Sequence, residues 1–236
     1  MPLWVWAGPI PEPEPEWTYS GDRGPEHWGD LKPEWATCKT GVAQSPVDLK
    51  WAKPSRGHTL KFHYRPTRYR VVDTGRTVQV KFDPGNTADV DGVPYRLERL
   101  EVHSESEHTF SGQSLPLEIH LVHHNGAGKT VVVAMLYKPG GLNGPLQQVI
   151  SGAPPKVGEE MDWGGMLNPE AFLPSQRTFY AYSGSLTTPP CTEGVWWSVF
   201  NTPLEASPDQ IARFQKRYLG NHRPIQALHD RRPANY

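Results

Sequence analysis

Two short runs within residues 97–125 restrict the fold of this chain more than any other feature of its sequence. The first reads LERLEVHSE and the second LEIHLVHH, and in both runs apolar residues alternate with polar ones. Because the side chains of a strand alternate between its two faces, each run predicts a β-strand with one apolar and one polar face. If the two strands are neighbours, their polar faces converge on one point.

The polar faces of these predicted strands carry candidate metal ligands. Glu101 and His103 share one face of the first strand, and Glu118 and His120 share one face of the second. Two imidazoles and a carboxylate that converge on one point form a plausible set of zinc ligands. Glu118 is placed to accept the free N–H of a ligand histidine, as carboxylates behind metal sites do. The alternative is a pair of core histidines satisfied by ordinary hydrogen bonds.

The rest of the sequence favours a single protein domain made mainly of β-strands. The 25 prolines and 22 glycines are typical of a loop-rich β protein. Further strand-like runs, separated by turn residues, cover 58–64, 68–73, 77–82, 129–138 and 194–200. Two helices are predicted, one over 145–152 and one that begins after Ser207, where Pro208 and Gln210 complete a capping signal.

Charge and hydropathy exclude several classes of partner. The formal net charge is −1 and the charged residues are scattered, which argues against nucleic acid or an anionic membrane as a partner. No apolar run approaches the roughly 20 residues needed to span a bilayer. The Pro- and Glu-rich residues 1–16 predict a flexible N-terminal tail, followed by a domain over 17–232 and a C-terminal tail over 233–236.

Motifs along nearly the whole chain, from Trp17 to about Arg231, resemble those of the α-carbonic anhydrases in family order. Beyond the two histidine runs, the matching stretches are WTYSG (17–21), GPEHWGDL (24–31), CKTG (38–41), QSPVDL (44–49), GSLTTPPCTEGVWW (184–197) and RPIQAL (223–228). The resemblance implies a central, twisted, mostly antiparallel sheet of about ten strands, a large sheet by ordinary standards, with a few short helices. It also implies the family's reaction, the interconversion of carbon dioxide and bicarbonate at a zinc ion.

The resemblance assigns roles to residues position by position. His103 and His120 match the second and third zinc histidines, and Glu101 stands where the family has the first. Glu107 and Thr187 match a hydrogen-bonded pair that orients the attacking oxygen. The positions that match the lining of the substrate pocket are Tyr19, Val122, Val132, Leu186, Thr188, Val195 and Trp197.

The two cysteines, Cys38 and Cys191, are far apart in the sequence, which does not by itself pair them. In bacterial and plant members of the family, cysteines in the matching contexts form a disulfide. The resemblance therefore implies an oxidising compartment, and we expect an exported protein, periplasmic or secreted. The N-terminus lacks the pattern of a signal peptide, so the expected signal is not part of this sequence.

Two departures from the family pattern bear on activity. Arg76 stands at the position of the proton-shuttle histidine, and arginine stays charged near neutral pH, so it cannot relay a proton. Arg99 replaces a glutamine that braces the first zinc ligand. Because Arg99 lies two residues from Glu101 on the same strand face, its planar guanidinium can pair with that carboxylate.

Three hypotheses about function follow. The first is a weakened carbonic anhydrase whose zinc is bound by Glu101, His103 and His120. The second is a catalytically inactive binding module that keeps the fold without zinc. The third is a pocket that acts on another small anionic or carbonyl substrate, with Arg76 and Arg99 binding the anion. The sequence leaves the oligomeric state open between monomer and dimer.

Overall fold

The computed structural model describes residues 16–50 and 55–236, and this part of the chain folds around β-strands. The strands are β1 (Asp48–Leu49), β2 (Leu60–His63), β3 (Thr67–Asp73), β4 (Val78–Phe82), β5 (Thr87–Val90), β6 (Val93–His103), β7 (Thr109–Phe110), β8 (Leu117–His124), β9 (Thr130–Pro139), β10 (Glu160–Leu167), β11 (Phe179–Ser185), β12 (Glu193–Phe200), β13 (Leu204–Ala206) and β14 (Ala234–Asn235). The α-helices are α1 (Trp28–Leu31), α2 (Thr37–Thr40), α3 (Gly144–Gly152) and α4 (Pro208–Tyr218). Short 3₁₀ segments cover Gly21–Arg23, Pro33–Trp35 and Pro169–Phe172.

Twelve of these strands form one twisted sheet, and β1 and β7 pair separately. The main path of the large sheet is β10-β3-β4-β6-β8-β9-β12-β11-β14, while β5 joins β6 to β2, and β13 lies beside β9. The pairings of β9 with β12 and β13 are parallel, and the other pairings in this sheet are antiparallel. The predicted fold class, a mainly β protein with a mostly antiparallel twisted sheet, is therefore confirmed.

The central strands bury both of their faces. On β6 and β8, the apolar residues Leu100, Val102 and Ile119 belong to a large hydrophobic core on one side of the sheet. Val122 and Trp197 belong to a second core on the opposite side. Successive side chains of these strands therefore point alternately into the two cores. His120 lies on the same face of β8 as Val122.

Both predicted helices form. At the start of α4, the Ser207 side chain accepts a hydrogen bond from the Gln210 N–H, and the Gln210 side chain accepts one from the Ser207 N–H. This reciprocal capping is what the sequence predicted for the position. The start of α3 is capped by Asn143, whose side chain accepts from the Leu146 N–H.

The C-terminal end of the chain differs from the predicted domain boundary. Residues 233–236 were expected to form a tail, but Ala234–Asn235 form β14 beside β11. The backbones of Tyr236 and Phe179 exchange two hydrogen bonds, and their rings lie 5.9 Å apart, so packing against a core aromatic holds the C-terminus in place. The predicted N-terminal tail covers residues 1–16, of which residues 1–15 lie outside the described part of the chain. Within those residues, no helix is long and apolar enough to cross a bilayer.

The predicted disulfide is present between Cys38 of α2 and Cys191 in the loop between β11 and β12. The side chains of Trp28 and Trp35 pack around it. The buried guanidinium of Arg223 donates to the carbonyl oxygen of Cys38 at 2.8 Å. The segment before the sheet is therefore tied to the sheet by a covalent bond and by a buried cation.

Candidate metal centre

The register of β6 and β8 brings the predicted ligands together. Glu101 lies directly opposite His120, and His103 lies directly opposite Glu118. Residues opposite each other on antiparallel strands have Cβ atoms about 4.5–5.5 Å apart, so their side chains can meet. Ligand atoms of Glu101, His103 and His120 lie within 4.8 Å of one another.

The imidazole of His103 is held with one nitrogen directed at this point. Its Nδ1 atom donates to the carbonyl oxygen of Asn221 at 2.8 Å, so Nε2 carries the lone pair. Nε2 is buried and has no hydrogen-bond partner among the described residues. Asn221 is fixed in turn, since its side chain donates to the Val102 carbonyl oxygen and accepts from the Ser104 N–H.

The imidazole of His120 is oriented from behind by Glu118. Its Nε2 atom donates to the Glu118 carboxylate at 2.8 Å, and its Nδ1 atom lies 3.9 Å from Glu107 Oε2. Glu118 also accepts from His108 Nδ1 at 2.7 Å. Burial acts to raise the pKa of Glu118, but His108 and His120 outweigh it and hold the pKa well below its usual value. The carboxylate therefore stays ionised behind the ligand.

His108 adjoins the candidate metal centre and was not predicted as part of it. The side chain is fully buried, and its Nε2 atom lies 2.7 Å from the hydroxyl of Tyr182. Because Nδ1 of the same ring donates to Glu118, His108 connects the candidate metal centre to Tyr182 in the hydrophobic core. Its position one residue after Glu107, within the family's SEH motif, is the signal that could have identified it.

Glu101 differs from the two histidines because one of its oxygens already has partners. Oε1 accepts from Arg99 Nε and from Gln79 Nε2, each at 2.8 Å. Burial acts to raise the pKa of Glu101, but the cationic Arg99 and the His103 ring outweigh it and lower the pKa. Gln79 was not predicted as part of the site, although it lies directly opposite Glu101 on β4.

Arg99 is engaged by protein carboxylates rather than left open to the pocket. Its Nε atom pairs with Glu101, and its Nη1 atom pairs with the exposed Glu98 at 3.1 Å. The guanidinium side chain is 22% exposed and the Glu101 side chain 16% exposed, so this ion pair lies partly shielded from water. The role of Arg99 as a free anion ligand, which the third hypothesis requires, gains no support from these contacts.

Carboxyl groups surround the candidate metal centre. Burial acts to lower the pKa of His103, but Glu107 and Glu101 outweigh it and raise the pKa. The surrounding carboxyl groups are those of Glu101, Glu107 and Glu118, and Arg99 pairs with Glu101. This arrangement suits a cation better than an anion.

Glu107 and Thr187 are both buried, but no hydrogen bond joins them among the described residues. Oε1 of Glu107 accepts from the backbone N–H of Arg223 at 2.8 Å, and Oε2 has no partner. The glutamate is thus present with a free acceptor, while the predicted bond to the Thr187 hydroxyl is not formed. Arg223 belongs to the RPIQAL stretch, whose backbone contribution to the site was not predicted.

Five of the seven residues predicted to line the pocket collect in one hydrophobic cluster. Its members include Val122, Val132, Val195 and Trp197, and the half-buried Leu186 packs against it. Trp197 also packs edge-on against His120 at 4.9 Å. The half-buried Thr188 accepts from the Cys191 N–H in the turn that follows.

Tyr19 and Arg76 lie in the region around Trp17. Tyr19 packs edge-on against Trp17 and Trp28 at 5.2 and 5.8 Å. Burial, with the charges of Glu107 and Glu101, raises the pKa of Tyr19 well above its usual value, so its hydroxyl stays protonated. Arg76 places its guanidinium 4.2 Å from the centre of the Trp17 ring.

Comparison with known proteins identifies the family. The family model for the eukaryotic-type carbonic anhydrases matches residues 23–234, and the chain belongs to that family. A carbonic anhydrase from Nostoc sp. (strain PCC 7120) is 39% identical over 221 residues, which cover 91% of this chain and 84% of that protein. A solved structure of the α-carbonic anhydrase from Thermovibrio ammonificans in complex with the inhibitor sulfanilamide matches with a TM-score of 0.89 at 38% identity, covering 92% of this chain and 98% of that one.

A second solved structure widens the comparison beyond proteins named as carbonic anhydrases. Dioscorin complexed with ascorbate matches with a TM-score of 0.85 at 31% identity, covering 93% of this chain and 97% of that one.

Proposed function

We propose that this protein catalyses the reversible hydration of carbon dioxide at a reduced rate, with zinc bound by Glu101, His103 and His120. The observation that carries the proposal is the Nε2 atom of His103, which is buried without a partner beside the other two donors. A buried polar atom without a partner costs about 1–3 kcal/mol. A metal ion that bound this nitrogen would remove that cost.

The chemistry of the donor set is compatible with zinc. Two imidazoles and a carboxylate bind zinc in other hydrolases. Although Oε1 of Glu101 is engaged, a carboxylate offers about four acceptor positions, so Oε2 can still serve as a ligand. The carboxyl groups of Glu101, Glu107 and Glu118 around the point also favour a cation over an anion.

The surrounding residues support the family's reaction. Zinc, when bound, supplies a Lewis acid that makes water ionise near neutral pH. Asn221 and Glu118 hold the outer protons of His103 and His120, so that the inner nitrogens are free to bind. The free oxygen of Glu107 can accept the hydroxyl proton of Thr187, which would then orient the attacking oxygen. The apolar cluster around Trp197 suits carbon dioxide, which is apolar.

A reduced rate follows from two substitutions. A charged Glu101 in place of a neutral imidazole cancels part of the metal's charge, so bound water ionises less readily. Arg76 cannot export the proton that hydration releases, because arginine does not titrate near neutral pH. Both effects slow hydration, and neither prevents it.

A second candidate function is a binding module of the same fold that works without zinc. The ion pair between Arg99 and Glu101 favours this candidate, because a guanidinium already supplies a cation to the carboxylate. If that pair is strong enough to keep Glu101 from the metal, two histidines alone remain as ligands. The disulfide between Cys38 and Cys191 supports export to an oxidising compartment under either candidate.

The metal content of the protein separates the two candidates. The full chain would be purified without added zinc, dialysed against a chelator and then reloaded, with zinc per chain and the hydration rate measured at each step. We expect about one zinc per chain after reloading, with hydration lost on chelation and restored on reloading. Substitution His120→Ala should abolish both signals, and His63→Ala, which alters an exposed ion pair, should preserve them. A chain that retains no zinc and shows no hydration after reloading would overturn the proposal in favour of the binding module.

A further inference from the structure

Arg76 is held rigidly by its backbone and by one side of its guanidinium. Its backbone N–H donates to the Thr74 hydroxyl, and its carbonyl oxygen accepts from the Asn221 side chain at 2.9 Å. Its Nε atom donates to the carbonyl oxygen of Trp17 at 3.1 Å, while the guanidinium lies over the ring of the same residue. A guanidinium fixed in this way presents its Nη atoms as a preorganised fork.

This fork lines a surface cavity of about 370 Å³. Glu101, His103, His120 and Thr187 are not among its lining residues, whereas Tyr19 and Asn221 are, so the cavity lies beside the candidate metal centre and does not include its ligands. A volume of this size lies within the range of pockets that bind small organic molecules, about 300–1,000 Å³.

Two apolar side chains on the wall of the cavity are open to solvent. Val157 and Leu219 line it, and they are 66% and 72% exposed. Val157 also packs closely over Gly75, where an added Cβ would lie only 2.9 Å from Val157 Cγ1. Two large apolar side chains exposed beside a fixed cation form an amphipathic site, which suits a molecule with a charged end and an apolar body.

The nearby carboxylates are engaged by other cations. Asp73 is bound by Arg217 and by the hydroxyl of Tyr218. Glu16 forms an ion pair with Lys32 at 2.6 Å. Within residues 16–50 and 55–236, the structure shows no ion pair to Arg76, so its charge is available to an anion.

We propose that this cavity binds small organic monocarboxylates with an apolar body, with the carboxylate on Arg76 and the body against Val157 and Leu219. A carboxylate matches the planar fork of a guanidinium in two parallel hydrogen bonds. The apolar body removes exposed Val157 and Leu219 surface from water. An inorganic anion or a neutral aromatic molecule satisfies only one of these two requirements.

The test uses three probes on the full chain. Binding of 3-phenylpropionate, acetate and 3-phenylpropan-1-ol would be measured by calorimetry, and the site located by backbone amide shifts in NMR spectra. We expect 3-phenylpropionate to bind at least about tenfold more tightly than either of the others, with shifts centred on Thr74, Gly75 and Leu219. Binding should be the same before and after dialysis against a chelator, so the outcome does not depend on whether the metal centre holds zinc.

Matched variants separate charge from shape. Arg76→Gln should weaken 3-phenylpropionate about tenfold, and Arg68→Gln, which removes the same charge from an exposed position elsewhere, should not. Val157→Asp should weaken binding more than Val157→Asn, since the two variants differ in charge and hardly in size. Equal affinity in Arg76→Gln, or shifts that centre on His103 and His120 and vanish on chelation, would overturn the proposal.

Discussion

Glu101 and Arg99 act as a unit, because each is partly buried and each supplies the main countercharge of the other. Removing one member of a buried ion pair leaves an uncompensated charge and costs about 3–5 kcal/mol. A substitution at either position alone therefore tests the loss of the pair as well as the chemistry of the new side chain. The two positions must be changed together if the ligand set is to be examined.

The double change Glu101→His with Arg99→Gln should improve zinc binding. It replaces an anionic ligand and a neighbouring cation with a third imidazole and a neutral brace. We expect the variant to retain zinc against a chelator at about tenfold higher concentration than the parent, and to gain hydration activity. Zinc per chain after dialysis, with the hydration rate beside it, provides the measurement.

The single variants serve as controls for this experiment. Glu101→His alone leaves the Arg99 guanidinium without its anion beside the metal, so it should retain less zinc than the double variant. If the double variant retains no more zinc than the parent, the assignment of Glu101 to a ligand position is incorrect.

The absence of a shuttle at Arg76 should appear as a dependence of turnover on buffer. Positioned proton transfer contributes about 10²–10⁴-fold to rates of this kind, so its loss makes proton export limiting. We expect imidazole buffer to raise the hydration rate of the zinc-loaded protein by about tenfold or more. Arg76→His should raise the rate in weak buffer and reduce the gain from imidazole, whereas Arg76→Ala should depend on imidazole like the parent. Full-speed hydration by the parent in weak buffer would contradict this expectation.

At the scale of elements, β8 combines function on one face with stability on the other. His120 faces the candidate metal centre, while His123, three residues later, lies buried on the opposite face. The hydroxyl of Tyr64 lies 2.6 Å from His123 Nε2. Burial raises the pKa of Tyr64 and keeps its phenol protonated, so Tyr64 is the donor in this hydrogen bond. Burial lowers the pKa of His123 to about 3, so the ring is neutral in the folded protein at ordinary pH.

His123 should make the protein less stable in mild acid. Below a pH of about 6.5 the unfolded chain binds a proton at this residue, whereas the folded chain does not until about pH 3. The free energy of unfolding should therefore fall by about 2 kcal/mol between pH 6.5 and pH 5 through this group alone. His123→Gln keeps an acceptor for Tyr64 and removes the titration. Denaturant unfolding of both proteins at the two pH values should show the smaller loss in the variant, and equal losses would contradict the account.

The sequence predicted the central elements well because their patterns are strong. From Leu100 to His103 on β6 and from Leu117 to Leu121 on β8, apolar and polar residues alternate, so both strands and their shared polar face follow from the residues. In β10, Gly164 and Gly165 interrupt the pattern, and the pairing with β3 shifts register there. The pairing of β10 with β3 holds this irregular strand in place, and its own residues carry no strand pattern. The strand was therefore not predicted from the sequence.

The same distinction applies to the candidate site. Arg99 could be paired with Glu101 from sequence, because residues two apart on a strand share a face. Gln79 is 22 residues from Glu101, and only the register of β4 against β6 shows that they are opposite. Asn221 and Arg223 reach the site from a loop after α4, where no periodic pattern indicates their position.

At the scale of the whole molecule, the disulfide fastens the N-terminal segment to the β11–β12 loop across a sequence separation of 153 residues. Gln44 strengthens the same junction, since its side chain donates to the Cys191 carbonyl oxygen and accepts from Arg223. Burial lowers the pKa of Arg223 to about 10, which still leaves the guanidinium charged near neutral pH. The junction therefore combines a covalent bond with a buried, hydrogen-bonded cation.

Loss of the disulfide should destabilise the protein strongly. In the chain-entropy model, closing a loop of this length lowers the entropy of the unfolded chain and so stabilises the folded protein by about 5 kcal/mol. Thiol titration of the denatured, unreduced protein should find no free thiol, and the double variant Cys38→Ser with Cys191→Ser should unfold at a markedly lower denaturant concentration. Two titratable thiols in the unreduced protein would remove the support for an oxidising compartment.

The position of the disulfide bears on the order of two steps in maturation, the binding of metal and the fastening of the loop that carries Thr187. The candidate ligands lie on β6 and β8 in the middle of the sheet, whereas Thr187 lies on the loop that Cys191 fastens. If zinc binds as proposed, a newly made chain that has folded its sheet could capture the metal before the disulfide forms, while the loop that carries Thr187 still lacks its anchor. Metal loading would then come before catalytic competence, and formation of the disulfide would complete the site.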